Sequence, residues 1–500
     1  MTRSVHMFTA VAFIALLTAP AATSFDFTAL EESVKEHTLD NGMKFIVLER
    51  HQAPVVSFVI LANVGAVDDP KEYTGLAHMF EHMAFKGTTS LGSKDIEREQ
   101  QLMAVEDSLY MALRSERKKG RLADSARVAA LARDFEAARK DAYELIVPNA
   151  YQEVLRREGA VGVNAGTSVD RTVYFYSLPS NKVELWMAMD SERFLNPVLR
   201  EMYKERDVIA EERRRSVETS PSGRLYEELL GMAFKAHPYG IRGIGHMSDI
   251  QNFSREAAMA FFQKYYGPAN LVAAIVGDVK AEEVFALAEK YWGRIPYRPR
   301  PELIATVEPE QLGERRMVME DRSQPIFSAA WHIPEITHPD RPAIDAMLDY
   351  LGGGRTSLLY KSLVKEKKIA SSVSIYPGGA GDKYPTLIIA EATPSAGHNN
   401  AECEEAMYAE IEKMKTDLVP ETEMVKIKAR AKSSFINGLA NNSGLASQLA
   451  SYQNFYDDWR EMFRELDRIN AVTPQDIQRV ANRYFTRKNR TVVAIETQPS

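Results

Sequence analysis

The chain has 500 residues, 45% hydrophobic and 26% charged, with 27 glycines, 23 prolines and one cysteine. That length favours two or more domains with cores of their own, and the proportions exclude collagen-like, low-complexity and wholly disordered classes. A balance of 62 basic against 69 acidic residues, net −7, argues against a nucleic-acid binder, and the lone Cys403 permits no disulfide within the chain.

In chain order, Arg3, the apolar run 7–17 and the small residues 18–24 read as a signal peptide, cut after Ala21 or Ser24. An apolar run of about 10 residues is too short for a membrane span of about 20. The expectation is an exported protein, periplasmic in a bacterium and otherwise secreted, with no membrane span after cleavage.

Residues 46–64 read as two apolar strand segments around Gln52-Ala53-Pro54, and a helix follows in 75–88, GLAHMFEHMAFKGT. It carries His78, Glu81 and His82 as H-x-x-E-H. At about 100° per residue, His78 and His82 lie roughly 40° apart on a helix, so both imidazoles can reach one metal ion. Glu81 falls on the same face, about 60° from His78, placed to reach a water on that ion without being a ligand. This is the zinc motif H-E-x-x-H read backwards, with the same division of labour. Met79, Phe80, Met83 and Phe85 make the rest of the helix apolar, which turns the polar triplet toward a cleft.

Residues 96–156 hold long runs rich in Ala, Glu, Arg and Lys, with a turn at Lys118-Lys119-Gly120. They predict an inserted helical hairpin, either a solvated decoration or a docking arm for another subunit. Further on, Glu205 and Glu212 are seven apart, two turns of a predicted helix, and so share a face, with Glu211 about 100° away. One of the two can bind the metal while the other supports a ligand or water from outside.

Residues 254–276 and 473–495 repeat a pattern at a constant offset of 219: a Ser/Thr N-cap, an apolar helix ending in an aromatic pair, then a β-branched strand. Residues 317–331 likewise repeat the strand pair of 46–64. The expectation is an α+β fold. Two homologous α/β-sandwich halves, each an antiparallel-rich sheet flanked by helices, form a clamshell, with the hairpin inserted in the first half. The predicted divisions are a first domain over 25–296, a linker over 297–312 and a second domain over 313–500.

Together these features resemble the inverted-motif zinc metallopeptidases of the pitrilysin/insulinase family, especially the short members similar to mitochondrial processing peptidase. The resemblance rests on H-x-x-E-H at 78–82, E-x-x-x-x-x-x-E at 205–212, Asn164-Ala165-Gly166-Thr167 before Arg171-Thr172-Val173-Tyr174, and Gly352-Gly353-Gly354 in the second half. It implies His78, His82 and Glu212 as ligands of one zinc ion, Glu81 as general base and Glu205 as a supporting carboxylate. Asn164 and Ala165 then lie in the edge strand that grips an extended peptide substrate by its backbone.

Two departures stand out. The second half carries Ala343, Ala346 and Met347 where the first has its motif, so no metal site is expected there. Family members that cut alone carry an Arg and a Tyr seven apart in that half; here Val364 and Ser371 occupy those positions, and neither stabilises an oxyanion as Arg and Tyr do. The sequence therefore predicts a zinc endopeptidase completed by a homologous subunit, as a hetero-oligomer or, with other donors, a homodimer. The contrasting reading is a non-catalytic structural or chaperone-like subunit of the same family.

Overall fold

The computed structural model describes residues 27–498, so the signal-peptide reading at 1–24 lies outside the described residues. In the first half, β1 (Val34–Thr38), β2 (Lys44–Glu49), β3 (Val55–Ala62), β4 (Val161–Thr167), β5 (Thr172–Pro179) and β6 (Leu271–Gly277) form one sheet in the order β1-β2-β6-β3-β5-β4. Only β2 and β6 run parallel; every other neighbouring pair is antiparallel. The central strands are apolar without alternation because both faces are covered. Phe58 and Ile60 of β3 face one core, and Val59 and Leu61 face another.

The helices that matter for the site are α1 (Leu76–Met83), α2 (Ile96–Lys118), α3 (Ser125–Glu144), α4 (Met202–Arg213), α5 (Pro221–Ala233) and α6 (Arg255–Tyr265). The α2–α3 hairpin is more than a solvated decoration on its inner side. Tyr110, Leu113 and Phe135 form a small core with Tyr203 of α4.

The second half repeats the plan. Its strands β7 (Arg315–Asp321), β8 (Ile326–Ile333), β9 (Ala370–Pro377), β10 (Thr386–Pro394) and β11 (Arg490–Thr497) lie in the order β7-β11-β8-β10-β9. That is the order of β2-β6-β3-β5-β4, with the parallel pair in the same place. Its helices include α7 (Arg341–Gly352), α8 (Glu421–Gly438), α9 (Asn442–Tyr456), α10 (Glu461–Ala471) and α11 (Pro474–Tyr484).

The repeat offset has a physical content. Ser254 caps α6 through Ala257 N, and Thr473 caps α11 through Asp476 N. Asn270 Nδ2 donates to Tyr265 O and Asn63 O at 2.9 and 3.0 Å; its counterpart Asn489 donates to Tyr484 O and His332 O, both at 2.9 Å. Each Asn ties the end of a helix to the neighbouring strand, satisfying carbonyls the helix leaves open.

The halves also exchange helices. Leu445 and Leu449 of α9, with Met462 of α10, cover Ile46, Val59 and Val272 of the first sheet. Leu225 and Leu229 of α5 cover Leu387, Ile389 and Val493 of the second. Neither sheet is covered on both faces by its own half alone, which holds the clamshell together.

A polar latch joins the halves beside β4. Asp170, 2% exposed in the β4–β5 turn, accepts hydrogen bonds from Tyr239 Oη (2.5 Å), Asp382 N (2.6 Å) and Lys383 N (3.2 Å). The Asp170→Asn variant has one acceptor oxygen for these three donors. It is expected to lose about 1–3 kcal/mol, since a buried donor is left unsatisfied. Hydrogen exchange should then quicken at Asp382 and Lys383, and an unchanged exchange rate there would refute the latch.

Candidate metal centre

The α1 helix is held at its start by Asp69, whose carboxylate accepts from Gly75 N (2.6 Å) and Ala77 N (2.8 Å). This is the favoured place for an acidic group, because the first backbone N–H groups of a helix have no partner within it. Gly75 is required there: its φ is 93°, and a Cβ would stand 2.4 Å from Ile244 O. The apolar side of α1, including Leu76, Met79 and Phe80, is buried in the main core of the first half. His78, Glu81 and His82 are thereby left toward the cleft, 15%, 25% and 21% exposed.

Helix α4 packs across α1 and brings Glu205 and Glu212 to the same place. Glu212 Oε1 lies 3.9 Å from His78 Nε2, and its Oε2 lies 3.6 Å from His82 Nε2. One ligand atom from each of the three residues falls within 4.8 Å of the others. Ligand atoms in a tetrahedral shell with bonds near 2 Å sit roughly 3.3 Å apart. The nitrogens and oxygens are thus too far apart to bond one another well and spaced to share a small cation. Two imidazoles and a carboxylate are also a donor set that zinc takes, so the residues fit the ion.

Around this triplet lies a second ring of contacts. His82 Nδ1 is 3.3 Å from Glu205 Oε2, which orients the ring with Nε2 toward Glu212. Lys86 Nζ donates to Glu205 Oε1 at 2.6 Å and lies 3.3 Å from Glu201. Burial lowers the pKa of His78 against the pull of Glu212, favouring the neutral imidazole that a metal needs. For His82 burial also lowers, but the Glu205 hydrogen bond and the charges of Glu205, Glu212 and Glu81 together raise it above the usual histidine value. Burial raises the Glu205 pKa, and the bonds from His82 and Lys86 outweigh it, holding the carboxyl below the usual range. Glu211 points away from the cleft and pairs with Arg214 at 2.6 Å.

Glu81 Oε2 lies 4.0 Å from His78 Nε2 and accepts a hydrogen bond from Thr167 N at 2.7 Å. Its carboxylate therefore touches both the cleft and the backbone of β4. That strand is the free edge of its sheet, paired only on the β5 side, with Asn164 opposite Phe175 and Ala165 opposite Tyr174. Asn164 is exposed, and Ala165 is buried in the core beside α1.

Lys86, Glu201 and the Thr167 amide were not singled out by sequence reasoning. Lys86 lies in the turn just past the end of α1, four residues after His82, where helical spacing gives no guide to its direction; a backbone N–H leaves no signal either. In the second half Ala343, Ala346 and Met347 are buried core residues. Val364 packs against that core, and Ser371 Oγ donates to Thr393 O at 3.1 Å.

A clamshell of two like halves, with an inverted His-x-x-Glu-His helix in the first alone, defines a two-domain metallopeptidase architecture. Residues 44–112 and 147–245 match the model of the insulinase family, peptidase family M16, and residues 252–431 match the peptidase M16 inactive domain. The chain belongs to this family. It is 27% identical over 471 residues to the zinc protease PqqE of Helicobacter pylori, covering 92% of each chain. It is 23% identical over 482 residues to a probable mitochondrial-processing peptidase subunit beta of Arabidopsis thaliana, covering 92% of this chain and 77% of that one. Among solved structures, a protease from Helicobacter pylori superposes with a TM-score of 0.77 at 25% identity, over 93% of this chain and 99% of the other.

Proposed function

We propose that the protein is a zinc-dependent endopeptidase that cleaves extended peptides or small unfolded proteins inside its clamshell, with His78, His82 and Glu212 as zinc ligands. The observation that carries this reading is the convergence of those three residues with Glu81, whose carboxylate also meets the free edge of β4. Zinc, when bound, supplies Lewis acidity, making a water acidic near neutral pH and polarising a carbonyl. Glu81 takes the proton from the attacking water and returns it to the leaving amine. Glu205 fixes the tautomer and tilt of His82, and Lys86 holds Glu205 in place. A peptide adding to β4 at Asn164 and Ala165 presents its backbone beside Glu81, and this mode of binding is tolerant of side chains.

A homologous subunit completes the site in this reading. The side chains at 364 and 371 support it, since a half-buried valine and a serine bonded to Thr393 O supply no donor to a developing oxyanion. The signal peptide, if cleaved, places the enzyme outside the cytoplasm; among the described residues no helix is long and apolar enough to cross a membrane.

The test is metal analysis with chelator-sensitive peptide hydrolysis, on the pure chain and on a pair reconstituted with a homologous subunit carrying the Arg and Tyr. Expected are zinc in the pure chain, weak hydrolysis alone and strong, chelator-sensitive hydrolysis in the pair. Full activity of the pure chain would overturn the partner requirement. Absence of bound zinc would overturn the metal assignment.

A further inference from the structure

A cavity of about 410 Å³ opens between α2, α3 and the first turn of α4, behind the metal cleft. Its apolar wall is Met103, Ala142, Tyr143 and Ile146, with Lys140 and Lys204 also lining it. This volume lies within the range of small-molecule sites, about 300–1,000 Å³, and far exceeds a packing flaw. The match to the family model skips residues 113–146, which contribute Lys140, Ala142, Tyr143 and Ile146. One wall of the cavity is thus supplied by residues outside the family match, and the other, with Glu99, Met103, Glu106, Arg200, Glu201 and Lys204, by residues within it.

The charges around it decide what it accepts. Each lining acid already has a cation: Glu99 with Arg200 and Glu106 with Arg255, both at 2.8 Å, Glu136 with Arg139 at 2.7 Å, and Glu201 with Lys204 at 2.9 Å. Lys140, exposed on α3, has no carboxylate within ion-pair distance among the described residues. The lining as a whole is balanced, four cations against four acids, and Lys140 is the one of those cations held by no carboxylate, beside an apolar wall. Tyr143 adds its ring, under Lys204 Nζ at 4.5 Å, and its hydroxyl, 3.2 Å from the same nitrogen.

We propose that this cavity binds a small carboxylate with an apolar body, its head at Lys140 and Lys204 and its chain against Met103, Ala142 and Ile146. A fatty acid and the C-terminus of an apolar peptide share that chemistry. The site is also joined to the metal cleft. Lys204 bonds Glu201, Glu201 meets Lys86 at 3.3 Å, Lys86 bonds Glu205 at 2.6 Å, and Glu205 meets His82 at 3.3 Å. A head group that draws on Lys204 changes the balance at Glu201 and so at Lys86. Occupancy and metal affinity are then linked, and linkage is reciprocal. The linkage rests on the proposed metal reading; the binding site does not.

The probes are octanoate, octanol and an acetylated dileucine, titrated calorimetrically into the full chain with and without zinc. Expected is saturable binding of at least one carboxylate, weaker binding of octanol, and loss of roughly tenfold or more in carboxylate affinity in Lys140→Glu, because a charge-assisted contact becomes a repulsion. The tighter of the two carboxylates identifies the source. Ala142→Leu, which fills the wall, should abolish binding; Lys140→Glu lies on the exposed surface and keeps the test decisive if that variant does not fold. No saturable binding of either carboxylate, or equal affinity in Lys140→Glu, overturns the site. A zinc affinity unchanged at saturating carboxylate overturns the linkage alone.

Discussion

Replacing Glu81 by Gln is expected to lower peptide turnover by about 10²–10⁴-fold, the span a positioned general base contributes, and to leave zinc content unchanged. The two expectations separate because of where Glu81 stands. It is outside the His78, His82 and Glu212 triplet, and its carboxylate accepts a hydrogen bond from Thr167 N at 2.7 Å. Glutamine has the same shape and keeps an oxygen for that amide, so β4 stays in place. What it loses is basicity, and with it the proton transfer from water to the leaving amine. The measurement is single-turnover hydrolysis by the reconstituted pair alongside metal analysis. Turnover near that of the unaltered protein would refute the base assignment, and loss of zinc would mean that Glu81 belongs to the ligand set.

Truncating Arg200 to Ala is expected to cost about 3–5 kcal/mol of stability, the range for breaking a buried ion pair from one side. Arg200 and Glu99 are each 1% exposed. The guanidinium donates to Glu99 Oε1 (2.8 Å), Lys86 O (2.8 Å), Leu91 O (3.0 Å) and Thr88 O (3.0 Å). It thus ties the loop after α1 to α2, and the alanine variant strands a buried carboxylate and removes a donor from three carbonyls, of which Leu91 O keeps its bond from Thr88 N. Lysine should not rescue it, since an ammonium has three donors and no planar fork. Denaturant unfolding of Arg200→Ala and of the double variant Arg200→Ala/Glu99→Gln checks the cause. The double variant should recover part of the loss because no charge is left buried, whereas a single-variant loss under about 1 kcal/mol would refute the ion-pair account.

The glycines of this loop show why a sequence does not announce such a feature. Gly87 has a φ of 91°, and a Cβ there would lie 2.7 Å from Arg200 Nη1. The glycine is legible in the sequence as the end of a helical stretch. Its partner is 113 residues further on and has no periodic relation to it. Asp170 and Asp382 are separated by 212 residues and belong to different halves, so their contact is equally silent.

Local patterns carried most of the architecture. Caps at Ser254 and Thr473, continuous apolar strands and the offset of 219 led to two like α+β halves, because each depends on hydrogen bonds or side-chain periods within a few residues. The exchange of α5 against α9 and α10 did not follow from them: an apolar helix face records that it is covered, and not by which half. The face shared by His78, Glu81 and His82 was likewise set by helix geometry alone. Tertiary packing decided what meets that face: Glu212 across from both rings, Lys86 and Glu205 behind His82, and the Thr167 amide on Glu81. Composition alone permits no disulfide within the chain and argues against a nucleic-acid role. The unmatched Lys140 emerged only once the neighbouring charges were paired in space, because net charge is a sum and a site is a residue left over from it.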